Sequence, residues 1–182
     1  MDEKQLIEAC LQGNMEDFRV IVEKYSAPAM AMAMNILGNR ADAEDACQEA
    51  FIQVFRNLAR FDVKRSFKSW LYAILYRRCL DQLRRRRRSF GLVKKMQLEA
   101  LPAKTRNPDP LPEDKSLPSR LLDHLRPKER IVLSLWANEG YTAQEISEVL
   151  RCSSSTARVY LFQARKKIKS LLEKKDVSLP DY

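Results

Sequence analysis

Arg84 to Arg88 form an unbroken run of five arginines, downstream of Phe61, Phe67, Trp70, Tyr72 and Tyr76. Guanidinium groups grip phosphate oxygens in pairs, and aromatic rings stack on unpaired bases. The two residue types together suit single-stranded or opened nucleic acid. Plainer readings stand beside this one. Aromatics at helical spacing usually fill a core, and an arginine run can be a solvated helix end or a generic RNA-binding tail. Upstream, Asp42, Glu44, Asp45 and Glu49 cluster with no basic residue among them. Carboxylates there complement the positive end of a helix. They also make a face on which a basic protein surface could dock and which DNA would avoid.

The charge map separates these features. The 182-residue chain has a net charge of +9. Residues 62–95 carry 12 basic and 2 acidic residues, and residues 151–175 carry eight basic and one acidic. What is left is acidic overall. Two separated basic segments point to a polyanion, and an acidic remainder leaves room for a different partner.

Catalytic chemistry is poorly supplied. The one histidine is His124, and the four glycines are isolated, so neither common phosphate-cradling loop can be written. Cys10, Cys47, Cys79 and Cys152 lie more than thirty residues apart, without a CxxC pair. They read as small buried hydrophobes in a reducing cytoplasm rather than as a metal site or a disulfide framework. No enzyme activity, cofactor or metal is expected. No apolar run reaches the length of a membrane span, and Met1-Asp2-Glu3-Lys4 does not open a secretion signal, so membrane insertion is not expected either.

The elements that must position these residues are helices. Apolar residues recur at helical spacing in three stripes: Phe18, Ile21, Val22 and Tyr25; Ala46, Ala50, Phe51, Val54, Phe55 and Leu58; Trp70, Leu71, Ile74, Leu75, Leu80 and Leu83. Gly38-Asn39 reads as a helix stop, Asp42 as the cap of the next helix, and Ser66 or Ser69 as the start of the helix leading to the arginines. Five of the eight prolines fall between Gly91 and Pro118, a density that prevents a continuous helix. The expected fold is all-α: two small helical domains, residues 1–92 and 118–176, joined by a proline-rich linker, 93–117.

The second domain carries a sharper pattern. Pro127 opens a helix that stops at Asn138-Glu139-Gly140-Tyr141. Thr142-Ala-Gln-Glu145 is a capping box, with Ile146, Val149 and Leu150 behind it. Arg151-Cys152-Ser153 is a tight turn, and Ser153 or Ser154 caps a longer helix with Ala157, Leu161, Ala164, Ile168 and Leu171 on one side. Short helix, three-residue turn and longer helix make a helix-turn-helix, with Ser155, Arg158, Val159, Phe162 and Gln163 on its outer side. Residues alone point to a nucleic-acid binder with a second, different partner, and leave a stand-alone DNA-binding regulator and an RNA-binding adaptor open.

A resemblance separates them. Asp42–Phe51 (DAEDACQEAF), Phe67–Tyr72 (FKSWLY) and Asp81–Arg88 (DQLRRRRR) resemble the second conserved region of bacterial RNA polymerase sigma factors, in their extracytoplasmic-function (ECF) group. Lys128–Arg130 (KER), Tyr141–Ile146 (YTAQEI) and Thr156–Ile168 (TARVYLFQARKKI) resemble their fourth region. The resemblance implies an alternative sigma factor of the sigma-70 family. Its partners would be core RNA polymerase, promoter DNA and an anti-sigma factor. It implies polymerase contact through Asp42, Asp45, Gln48, Glu49 and Phe51. It implies capture of the minus-ten element around Trp70, Tyr76, Arg77, Arg78, Asp81, Arg84, Arg85 and Arg86. For the minus-thirty-five element it implies Thr142 and Ser155, with Arg158, Val159 and Gln163 toward bases and Tyr160, Arg165 and Lys166 toward phosphates. The sequence departs from the family in three places. Arg77 stands where asparagine is usual, Arg151-Cys-Ser-Ser-Ser155 replaces a Gly-Val-Pro-Val-Gly-like turn, and Val159 and Phe162 are less polar than usual.

Overall fold

A computed structural model of the chain describes residues 3–12, 15–97, 121–122 and 124–176. Seven α-helices and one short 3-10 turn make up the described part, with no strand in it. They are α1 (Glu3–Leu11), α2 (Met15–Leu37), α3 (Arg40–Asn57), the turn Leu58–Arg60, α4 (Phe67–Gln97), α5 (Pro127–Glu139), α6 (Ala143–Leu150) and α7 (Ser154–Asp176). Helix α4 continues to Gln97, past the expected boundary at 92. The rest of the expected linker lies outside the described residues.

The boundaries follow local chemistry. Gly38 and Gly140 take positive φ (71° and 67°) and end α2 and α5, a conformation that costs glycine little. Asn39, not Asp42, caps α3. Its Oδ1 accepts from the Asp42 N–H at 2.9 Å, and its Nδ2 donates to Asp42 Oδ2 at 3.1 Å. Either residue type can cap, and the one a turn earlier is placed to accept from the first free N–H groups. Ser66 caps α4 by accepting from the Ser69 N–H at 3.2 Å.

Helices α2, α3 and α4 enclose the first core. Small residues of α3 (Ala43, Ala46, Ala50) let it approach Ile36, Leu71 and Leu75 closely, and all six are buried. Ile131, Val132, Leu135, Ile146, Val149 and Ala157 fill the space between α5, α6 and α7. The two cores are continuous: α5 packs on α2 and α6 on α4. Polar contacts stitch the junction. Asn35 donates to Ser134 Oγ at 3.0 Å, Tyr72 donates to Glu139 Oε1 at 3.1 Å, and Ser69 donates to the Tyr141 hydroxyl at 3.3 Å. Lys68 pairs with Glu139 and lies over the rings of Tyr72 and Tyr141. Burial, reinforced by the Glu139 carboxylate, drives the Tyr72 hydroxyl far above its ordinary pKa. The phenol therefore stays protonated and donates to Glu139.

Candidate polymerase and nucleic-acid interfaces

The acidic residues of helix α3 divide into two groups, one turned to α4 and one turned to solvent. Asp42 pairs with Arg86 at 3.0 Å, while Glu49 lies between Arg85 at 3.6 Å and Arg78 at 3.7 Å. Glu44 pairs along the helix with Arg40 at 2.7 Å. Asp45 and Gln48 are exposed and have no side-chain partner among the described residues. Two apolar residues continue their line: Ile52, 43% exposed, and Phe55, 42% exposed. The spacing Asp45, Gln48, Ile52, Phe55 is one helical stripe. Phe55 thus leaves the core stripe to which its spacing assigned it. Phe18 packs edge-on against its ring at 5.0 Å. Phe51 is half-buried and supports the face from behind. Sequence reasoning missed Ile52. The signal available was a second apolar position in step with Asp45 and Gln48.

The arginine run divides as any five consecutive helical residues must, since they point around the whole circumference. Arg85 and Arg86 turn to α3, where Arg86 also reaches the Leu37 carbonyl at 3.5 Å. Arg78, about two turns earlier, faces the same way and donates twice to Gln53 Oε1, at 2.9 and 2.5 Å. Arg84 pairs with Asp81 at 3.2 Å. It also lines a groove of about 470 Å³ with Arg87, Arg126 and Lys128.

The remaining minus-ten candidates meet helix α6. Trp70, half-buried against Phe61 at 4.8 Å, and Arg77 line a cleft of about 410 Å³ with Arg65 and Arg151. Burial lowers the Arg77 pKa, and Arg151 and then Arg78 add to this by repulsion. No carboxylate pairs with Arg65, Arg77 or Arg151 among the described residues. Tyr76 is buried, and its hydroxyl is pushed up to about 12, first by burial and then by Tyr160 and Cys152. Trp70 and Arg77 are therefore together, Tyr76 sits beneath α6 and α7, and Arg78, Arg85 and Arg86 lie on another side of α4.

In the helix-turn-helix, both halves of the capping box form. Glu145 N–H donates to Thr142 Oγ1 at 3.3 Å, and Thr142 N–H donates to Glu145 Oε2 at 2.8 Å. That Thr142 N–H and then the Thr142 hydroxyl, which donates to the same Glu145 Oε2 at 2.7 Å, hold the Glu145 carboxyl below its ordinary value. Arg151 makes the turn with φ +50°, and Ser153 caps α7 by accepting from the Thr156 N–H at 3.2 Å.

Helix α7 is anchored from behind by Glu129, which is 2% exposed. Both its oxygens accept from Lys167 Nζ at 2.7 Å, and Oε2 accepts the Arg126 N–H at 2.8 Å. Burial acts to raise this carboxyl, but the Lys167 ammonium and the Arg126 N–H outweigh it and hold it below its ordinary value. Outward stand Ser155, Arg158, Val159, Phe162, Arg165 and Lys166, all exposed. Arg165 lies over the Trp136 ring at 4.9 Å. Gln163 is exposed at the edge of this face, where it lines the groove with Arg84 and Arg87. Tyr160 points to that groove too, with Lys128 over its ring at 5.5 Å.

Two motif-bearing halves in this order have counterparts among known proteins. Residues 21–89 match Sigma-70 region 2, and residues 119–168 match Sigma-70, region 4. The ECF RNA polymerase sigma factor SigE of Mycolicibacterium smegmatis is 30% identical over 166 residues, 90% of this chain and 64% of that protein. The ECF RNA polymerase sigma factor SigW of Bacillus subtilis is 27% identical over 93% of this chain and 96% of its own length. The chain belongs to the ECF group of the sigma-70 family. A solved structure of the sigma factor RpoE of Bartonella quintana, in complex with the anti-sigma factor NepR, shares the fold, with a TM-score of 0.69 at 20% identity over 87% of this chain and 98% of that one. In the sigma factor described here, α2 to α4 make up most of region 2, and α5 to α7 make up region 4.

Proposed function

We propose that this sigma factor binds core RNA polymerase and directs it to promoters by reading a minus-ten and a minus-thirty-five element. It does so as a non-catalytic subunit in the cytoplasm, and an anti-sigma factor holds it inactive. The observation that carries this reading is the separation of two unlike surfaces on one chain. The stripe Asp45, Gln48, Ile52 and Phe55 is acidic and apolar, which suits a basic protein surface with an apolar patch. The outer face of α7 is basic, stands on the second helix of a helix-turn-helix and suits the major groove. Trp70 and Arg77 supply an aromatic face and an unpaired cation for a single strand. Because α6 faces both residues, a strand reaches them fully once region 4 moves aside.

In vitro transcription with the purified chain and core polymerase on a genomic template library tests the reading. Promoter-specific transcripts that require the added chain are expected. Their absence, or tight sequence-specific duplex binding by the chain without polymerase, refutes it.

A further inference from the structure

Two arginines from different regions line one cleft between α4 and α6. Arg77 comes from α4, and Arg151 from the turn after α6. Burial and then Arg151 act against the charge on Arg77. Like charges brought together without a counter-charge work against the fold that gathers them. Glu148 also lines the cleft, but it makes no ion pair with Arg65, Arg77 or Arg151 among the described residues. Arg151 also holds φ +50°, a conformation that costs a residue with a Cβ more than it costs glycine. The fold therefore keeps an arginine where both repulsion and backbone oppose it.

A bound anion relieves that repulsion. Guanidinium forks bind phosphate oxygens in pairs, and the exposed Arg65 adds a third fork to the cleft. Trp70 lines the same cleft, half-buried, with Phe61 packed on it at 4.8 Å. An indole ring is a platform on which a planar base stacks. The volume, about 410 Å³, lies in the range that holds one small molecule. Phosphate groups joined to a planar aromatic base make a nucleotide.

We propose that the cleft between α4 and α6 binds a small nucleotide, with its phosphates between Arg77 and Arg151, Arg65 beside them, and its base on Trp70. The site needs both regions, since Arg65, Trp70 and Arg77 belong to region 2 and Arg151 to region 4. The nucleotide therefore binds the chain with its regions together and, by linkage, opposes their separation. Neither Arg77 nor Arg151 belongs to the pattern that the chain shares with its family. The nucleotide also covers Trp70 and Arg77 against a single strand, and this consequence alone rests on the function proposed above.

Adenosine diphosphate and inorganic pyrophosphate carry similar charge, and only the first has a base. Isothermal titration calorimetry of the full chain with each, at constant ionic strength and without divalent cations, tests the site. Binding of a single adenosine diphosphate per chain is expected, at least about fivefold tighter than pyrophosphate, the factor of a modest base stack. Arg151→Gly suits the positive φ and keeps the turn. It should weaken the nucleotide about tenfold, the factor of a lost charge-assisted contact. Arg77→Gln should do the same. Hydrogen exchange read by mass spectrometry should slow in the α6 amides when the nucleotide is added to the wild-type chain, and not in Arg151→Gly.

Absence of saturable binding overturns the proposal, and so does equal affinity for pyrophosphate and the nucleotide. Nucleotide affinity that Arg151→Gly leaves unaltered overturns it as well. Slowed exchange confined to α7 assigns the nucleotide to the outer basic face and overturns the cleft. Each of these results leaves promoter-directed transcription by the chain standing, which the template-library assay decides separately.

Discussion

Glu129→Ala tests whether one buried carboxylate fixes the recognition helix. The side chain accepts two hydrogen bonds from Lys167 and one from the Arg126 N–H. A hydrogen bond to a charged group contributes about 1.5–3 kcal/mol, and a lost first-turn cap costs about 1 kcal/mol. Breaking a buried pair by deleting one partner costs about 3–5 kcal/mol when the other charge is stranded. Here the Lys167 side chain is 40% exposed and can swing into water, which brings the cost below that range, to about 2–3 kcal/mol. Glu129→Gln retains an acceptor for the Arg126 N–H and should cost about half as much. Urea unfolding followed by circular dichroism at neutral pH gives both values.

The pH dependence provides a second check on the same residue. The folded-state pKa of Glu129 lies below its ordinary value of 4.5. Its stabilisation is therefore complete above that pH and is lost as pH falls through the folded-state value. The wild-type chain should lose this increment below pH 4.5, and Glu129→Gln should show a flatter acid limb. A Glu129→Ala chain within about 0.5 kcal/mol of wild type, the range of ordinary surface changes, would refute the reasoning. So would an acid limb that Glu129→Gln leaves unaltered.

Asp45→Arg should weaken binding to core polymerase at least tenfold, and Ile52→Ser should add to the loss, with thermal stability unaltered for both; fluorescence anisotropy of labelled chain against core enzyme measures this. Glu139→Gln should loosen the contact between regions 2 and 4 by weakening the Lys68 and Tyr72 contacts, seen as faster exchange of backbone amides in α5 and α6 by mass spectrometry. Thiol modification at neutral pH should reach Cys10 and Cys152 first, then Cys47, whose thiol burial pushes up to about 11. It should reach Cys79 last, since burial and then Cys47 push that thiol to about 12.

Features set by neighbours in sequence were legible. The capping box at Thr142, the stop at Gly140, the turn at Arg151 and the cap at Ser66 each depend on a few consecutive residues. The sequence showed the first three and narrowed the last to Ser66 or Ser69. The cap of α3 slipped by one turn because Asn39 and Asp42 are both good acceptors, and only the chain path chooses between them. Phe55 was read as core because helical spacing defines a stripe without saying which neighbour covers its edge. The fates of Arg78, Arg85 and Arg86 depend on Gln53, Glu49 and Asp42, far away in sequence. The arginine run therefore looked like one DNA-binding feature although its members diverge. The continuity of the two cores through Tyr72, Tyr141 and Ser134 was likewise invisible, since each half carries a complete helical pattern of its own.

That continuity has a kinetic consequence. Minus-ten and minus-thirty-five elements lie about 25 base pairs apart, which is about 85 Å of duplex at 3.4 Å per step. With α6 against α4, the two reading surfaces cannot span such a distance. A first-order opening step therefore stands between the free chain and a promoter-competent holoenzyme. At high polymerase concentration the assembly rate should stop rising and level off at the opening rate. Lys68, Tyr72 and Glu139 are among the residues that set that plateau, and none of the three needs to touch polymerase or DNA.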